Sequence, residues 1–159
     1  MDAGAKHEPG TDREAAGIGR EVATCEGAVA SRCVAAHADR RDAARTSGAP
    51  IHPFRHNQPG SLAAKARRHG PGIIVVDAIY SANGSVCPIL EIVEVAEQYG
   101  CLLLVDESHS IGTYGVNGEG LVASLGLSER VHYRTLSLSK AFATRAGLVA
   151  GPARGMEDF

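Results

Sequence analysis

The sequence has no excess of charge of one sign: 16 Lys and Arg stand against 18 Asp and Glu, a formal net charge of −2. That balance argues against a nucleic-acid-binding module, which needs a concentrated basic face. Long hydrophobic runs are missing too. The longest, Ile73 to Val76 and Cys101 to Val105, fall far short of the roughly 20 apolar residues that cross a bilayer as a helix, so no membrane span is expected. The start, Met1-Asp2-Ala3-Gly4, has neither a basic patch nor an apolar core, and no secretory signal is expected there. Cys25, Cys33, Cys87 and Cys101 lack the paired spacing of a metal site and read as reduced thiols of a cytoplasmic protein.

What is present suits one soluble domain: 159 residues, 44% of them hydrophobic, allow an ordinary core. Residues 1–35 are rich in Ala, Gly, Glu and Arg without a sustained period. Asp12 to Ala16 could start a short helix, but Gly17 and Gly19 weaken it. This segment is expected to be poorly ordered or divergent, with the domain proper at 36–159.

Periodicity organises the rest. Ile51 to Asn57 reads as a short edge strand interrupted by Pro53. His52 and His56 stand four apart, a spacing that serves a metal only on a helix, and Pro53 opposes that helix; no metal site is expected. Ser61 to His69 reads as a helix stopped by Gly70-Pro71-Gly72, with Lys65, Arg67 and Arg68 on a solvated face. Ile73 to Asp77 is a buried strand, followed by the turn-rich loop Tyr80 to Ser85, where a ligand could dock. Pro88 opens an amphipathic helix with Ile89, Ile92, Val93 and Ala96 on one face and Glu91, Glu94 and Glu97 on the other. Gly100 ends it, and Leu102 to Val105 is the next buried strand. Strand, helix and strand in this order predict an α/β fold with a mostly parallel sheet and flanking helices. Val131 to Leu136 and Leu148 to Ala150 add further strands.

Open α/β sheets gather functional groups past the carboxyl ends of their strands. Asp106-Glu107-Ser108-His109 follows one such end, and Ser137-Leu138-Ser139-Lys140 follows another. A carboxylate, an imidazole and a lysine are thereby predicted to share one pocket. Taken singly, Asp106 reads as a loop or helix cap and Lys140 as a solvated cation, and a packed histidine is the alternative for His109. A lysine becomes a nucleophile only where burial or a cationic neighbour lowers its pKa. The glycines from Gly112 to Gly120 open no helix and match a nucleotide-binding signature poorly.

Together these motifs resemble the pyridoxal-phosphate-dependent α-oxoamine synthases, of fold type I and aminotransferase class I/II. The resemblance rests on Asp106-x-x-His109, the Gly112-Thr113-Tyr114-Gly115 spacing, Ser137-x-x-Lys140 and the small-residue turn Arg145-Ala146-Gly147. Weaker matches are His37-Ala38, Phe54-x-His56-Asn57 and Ser81. The wording from Asp106 to Gly115 is most similar to the branch that makes α-hydroxyketone quorum-sensing autoinducers. The resemblance implies that Lys140 forms a Schiff base with pyridoxal phosphate and Asp106 holds the proton of the ring nitrogen. It also implies His109 and Ser81 near the ring oxygen, His37 stacked on the ring face and Ser137 at the phosphate. Lys140 and His109 are the implied catalytic residues. The implied reaction condenses an amino-acid-derived carbanion with an acyl-coenzyme A, and the implied assembly is a homodimer.

Complete members are considerably longer and carry a small carboxyl-terminal domain. The match covers about Ala36 to Gly151, so the chain is expected to be a partial large domain with that small domain absent. The phosphate-binding loop expected upstream of His37 is not evident. Two other readings stay open: a truncated, catalytically inactive remnant, and another fold-type-I enzyme such as an aminotransferase or lyase. The last keeps Asp106 and Lys140 but gives no reason for His109 and the glycine-rich stretch. An incomplete sheet leaves apolar edges uncovered, so poor solubility is expected.

Overall fold

The computed structural model describes residues 28–30 and 48–152. His37 and, apart from 28–30, the 1–35 segment lie outside the described residues. Among the described residues six strands form one sheet: β1 (Ala28–Ala30), β2 (Ile51–Pro53), β3 (Ile73–Asp77), β4 (Leu102–Asp106), β5 (Tyr133–Ser137) and β6 (Gly147–Ala150), in the order β2-β1-β3-β4-β5-β6.

The centre is parallel. β3 pairs with β4 from Ile73↔Leu102 to Asp77↔Asp106, and β4 pairs with β5 from Leu104↔Tyr133 to Asp106↔Thr135. This is the parallel-cored α/β architecture of fold type I that the sequence predicts. The apolar run of β3 is buried from Ile74 onward, as befits a strand covered on both faces. The flanks run the other way. β1 is antiparallel to both β2 and β3, and β6 is antiparallel to β5. Only residues 138–146 separate β5 from β6, too few for the crossover that a parallel pairing needs. Pro53 falls on the edge strand β2, where its missing N–H costs no sheet hydrogen bond.

Helix α1 (Pro59–His69) begins two residues ahead of Ser61, because Pro59 suits the first turn. It ends where the Gly70 N–H donates to the Ala66 carbonyl at 2.9 Å. Helix α2 (Ile89–Gln98) buries Ile89, Ile92, Val93, Val95 and Ala96. Leu62 of α1 and Ile92 of α2 join Ile74, Val76, Leu103 and Val105 of the sheet in one core. That core fixes the carboxyl ends of β3, β4 and β5 along one edge. Among the described residues no helix is long and apolar enough to cross a membrane.

Candidate functional site

The parallel register sets Asp77, Asp106 and Thr135 side by side at the strand ends. Asp106 is 6% exposed. Its Oδ1 accepts the Ser108 N–H at 3.0 Å, and its Oδ2 accepts the Thr135 hydroxyl at 2.6 Å. Both oxygens thus act as acceptors, the pattern an ionised carboxylate offers. The chain then turns back on itself: the Ser110 N–H donates to the Glu107 carbonyl at 2.9 Å, which brings His109 to the cavity wall.

Glu107 points away from the cavity and is fully buried. Its Oε1 accepts the Ser110 hydroxyl and the Val122 N–H, each at 2.9 Å, and its Oε2 lies 3.3 Å from Nη1 of Arg134. One carboxylate therefore ties the His109 turn, the short helix α3 (Leu121–Ser124) and β5. Gly120 makes room for it: a Cβ there would stand 2.6 Å from Glu107 Oε1.

On the neighbouring strand the Ser137 N–H donates to Ser108 Oγ at 2.8 Å, and the Ser137 and Ser139 hydroxyls are 2.8 Å apart. Lys140 follows in the β5–β6 connection, where the Ala143 N–H donates to its carbonyl at 3.2 Å. Asp106, His109, Ser137 and Lys140, all expected from the sequence, line one open cavity of about 390 Å³. Asp77, Ser108 and Thr135 line it too and are not evident from sequence. The volume lies within the ~300–1,000 Å³ typical of small-molecule sites. A carboxylate on the floor, hydroxyls along β5 and a lysine at the rim suit an aldehyde cofactor with a basic ring nitrogen and an anionic tail.

Ser81 is exposed on the turn after β3 and is not among the residues that line this cavity. Its loop is nonetheless anchored. His56 Nε2 and Ser85 Oγ are 2.7 Å apart, and Asn57 Nδ2 donates to the Val86 carbonyl at 2.9 Å. Among the described residues no cluster of three or more His, Cys, Asp or Glu could hold a metal ion. His52 stacks instead on His69, with ring centroids 3.5 Å apart.

A parallel-centred α/β sheet with a buried carboxylate at one strand end and a lysine past the next has the site plan of a fold-type-I pyridoxal-phosphate protein. The chain matches the model of the aminotransferase class I and II family over residues 27–157. It is 48% identical over 117 residues to the CAI-1 autoinducer synthase of Vibrio campbellii, covering 74% of this chain and 30% of that protein. It is 42% identical over 117 residues to a putative 8-amino-7-oxononanoate synthase 2 of Mycobacterium tuberculosis, covering 72% and 15%. A solved serine palmitoyltransferase from S. paucimobilis, with a bound PLP–myriocin aldimine, superposes with a TM-score of 0.68 at 32% identity, over 72% of this chain and 30% of that one. The chain belongs to the aminotransferase class I and II family, among its pyridoxal-phosphate-dependent α-oxoamine synthases. It spans less than a third of the length of each of these relatives.

Proposed function

We propose that the chain is the cofactor-binding part of an α-oxoamine synthase that joins an amino-acid-derived carbanion to an acyl-coenzyme A, in the manner of the autoinducer branch. The observation that carries this reading is the convergence of Asp106, His109, Ser137 and Lys140 on one cavity. Pyridoxal phosphate, when bound, supplies an electron sink for a carbanion, and does so best with its ring nitrogen protonated. Asp106, held by Ser108 and Thr135, is the residue to keep that proton in place. Lys140 is the covalent anchor, and Ser137 offers a hydroxyl to the phosphate. His109 is placed to orient the ring oxygen and to move a proton. By resemblance to the family, Ser81 is assigned to the ring oxygen and His37 to the ring face, although Ser81 does not line the cavity itself. The 48% identity to the autoinducer synthase supports that branch over the other relatives. The reading extends to a cytoplasmic homodimer whose product is an aminoketone signal precursor.

A second reading is a catalytically inactive chain of the same fold. It is favoured by Phe142, Leu148 and Val149, which stay 52–54% exposed beside the lysine segment. One experiment separates the two. The chain is mixed with pyridoxal phosphate, reduced with borohydride and mapped by peptide mass. Label on Lys140, absent in Lys140→Ala, is the expected result; an unlabelled chain would leave only the inactive reading. On the complete protein, acyl-coenzyme A consumption without keto-acid-dependent amino transfer sets this activity apart from an aminotransferase.

A further inference from the structure

Asp106 and Lys140 follow different strands, and Ser108 touches the segments of both. Its N–H donates to Asp106 Oδ1 at 3.0 Å, and its hydroxyl oxygen accepts the Ser137 N–H at 2.8 Å, three residues before Lys140. The backbone cannot make the second contact. The β4–β5 pairing runs to Asp106↔Thr135, and the Glu107 N–H adds one more rung to the Thr135 carbonyl at 2.8 Å. There the chain leaves the sheet for the His109 turn. Ser137 would next need a β4 carbonyl, and the Ser108 side chain supplies an oxygen in its place. The bridge is sheltered, with Ser108 only 5% exposed and on the cavity wall. A hydrogen bond in such a site is worth more than one in water.

We infer that Ser108 is a positioning residue: it continues the β4–β5 ladder through its side chain and so fixes the spacing between the Asp106 carboxylate and the Lys140 segment. The inference rests on the reading of this cavity as a pyridoxal-phosphate site. It predicts a graded effect on cofactor capture that follows the acceptor strength of residue 108, with the fold intact.

The test compares the 159-residue chain with its Ser108→Ala and Ser108→Thr variants by two readouts. In the unliganded chain, amide hydrogen exchange at Ser137 should rise about tenfold in Ser108→Ala, the worth of one hydrogen bond, while Leu103 and Val105 stay protected. Ser108→Thr, which keeps the hydroxyl, should restore protection. With pyridoxal phosphate added, the concentration giving half-maximal borohydride-trapped label on Lys140 should rise about three- to tenfold in Ser108→Ala and return in Ser108→Thr. Unchanged exchange at Ser137, or freed exchange with unchanged labelling, overturns the inference. Should Ser108→Ala unfold, Ser108→Cys carries the same comparison, because it offers a weaker acceptor of similar size. An unsubstituted chain that takes no label overturns the functional reading and this role with it, whereas unchanged exchange or labelling in Ser108→Ala, with the unsubstituted chain labelled, overturns the role alone.

Discussion

The Thr135 hydroxyl stands 2.6 Å from Asp106 Oδ2 across the β4–β5 pair, directly opposite it in the register. That length is within the range for an O–H donor meeting a charged oxygen. With the Ser108 N–H on the other oxygen, the carboxylate has little freedom to rotate. Thr135→Val keeps the shape and removes one charge-assisted bond, so it should cost about 1.5–3 kcal/mol. Urea unfolding should show a lower midpoint with an unchanged slope. The same variant should need more pyridoxal phosphate to label Lys140.

Glu107 is predicted to matter for stability more than for chemistry. It has no exposed surface, two neutral donors and one guanidinium partner. Glu107→Ala leaves the buried Val122 amide and Ser110 hydroxyl without that acceptor and the part-exposed Arg134 without its carboxylate. Leaving a buried donor unsatisfied costs about 1–3 kcal/mol, a sizeable part of the ~5–15 kcal/mol that holds a domain together. Glu107→Gln keeps an acceptor and should lose much less. Denaturant titration of the three proteins checks the order; equal midpoints would refute it.

The parallel centre was legible because Ile73 to Val76 and Leu102 to Val105 are apolar at every position, which suits strands covered on both faces. Asp106, His109 and Lys140 were legible from their places past strand ends. Thr135 and Ser108 were not, since each acts through a hydrogen bond that exists only once the β4–β5 register is set. Asp77 reads as an ordinary strand-end residue until that register puts it beside Asp106. Ala28–Ala30 carries no strand signal of its own; β2 and β3 supply its pairing from both sides. Ser81 sits on a loop whose anchors, His56 and Asn57, act through contacts across 29 residues of chain that sequence spacing does not reveal.

Gly112 is predicted to set the approach of the lysine segment. Its φ is +79°, and a Cβ would fall 2.8 Å from the Ala141 Cβ, one residue after Lys140. Gly112→Ala therefore meets both left-handed strain, about 1 kcal/mol, and a clash that moves the chain around Lys140. The expected outcome is a modest loss of stability with a larger loss of Lys140 labelling. Labelling that falls only in step with stability would argue against this placement.

Cys87 is predicted to be inert while folded. Burial, helped by Asp77 and Glu91 and opposed by a hydrogen bond to Tyr80, pushes its thiol from the ordinary 9.0 up to about 12. Alkylation at pH 8 should spare Cys87 until urea is added, since the thiolate is the reactive form. The folded state keeps the proton that the unfolded chain releases, so this contribution is present below pH 9 and lost as pH rises from 9 to about 12. Cys87→Ala should show a shallower fall in unfolding midpoint across that window. Parallel curves for the two proteins would count against the assignment.

The two sheet edges differ in how well they resist pairing. β2 is three residues long and ends in Pro53, a combination that discourages a further strand. Among the described residues β6 has a neighbour on one side only, with Leu148 and Val149 54% and 52% exposed. Adjacent strand residues face opposite sides of a sheet, so both faces of that edge are apolar. Self-association through β6 is therefore expected to rise with concentration in light scattering coupled to gel filtration. Val149→Lys places a charge on the edge strand and should lower the associated fraction while the circular dichroism spectrum stays the same. Monodisperse monomer at every concentration for the unsubstituted chain would show that this edge is protected, and a Val149→Lys chain that associates equally would move the contact to another surface.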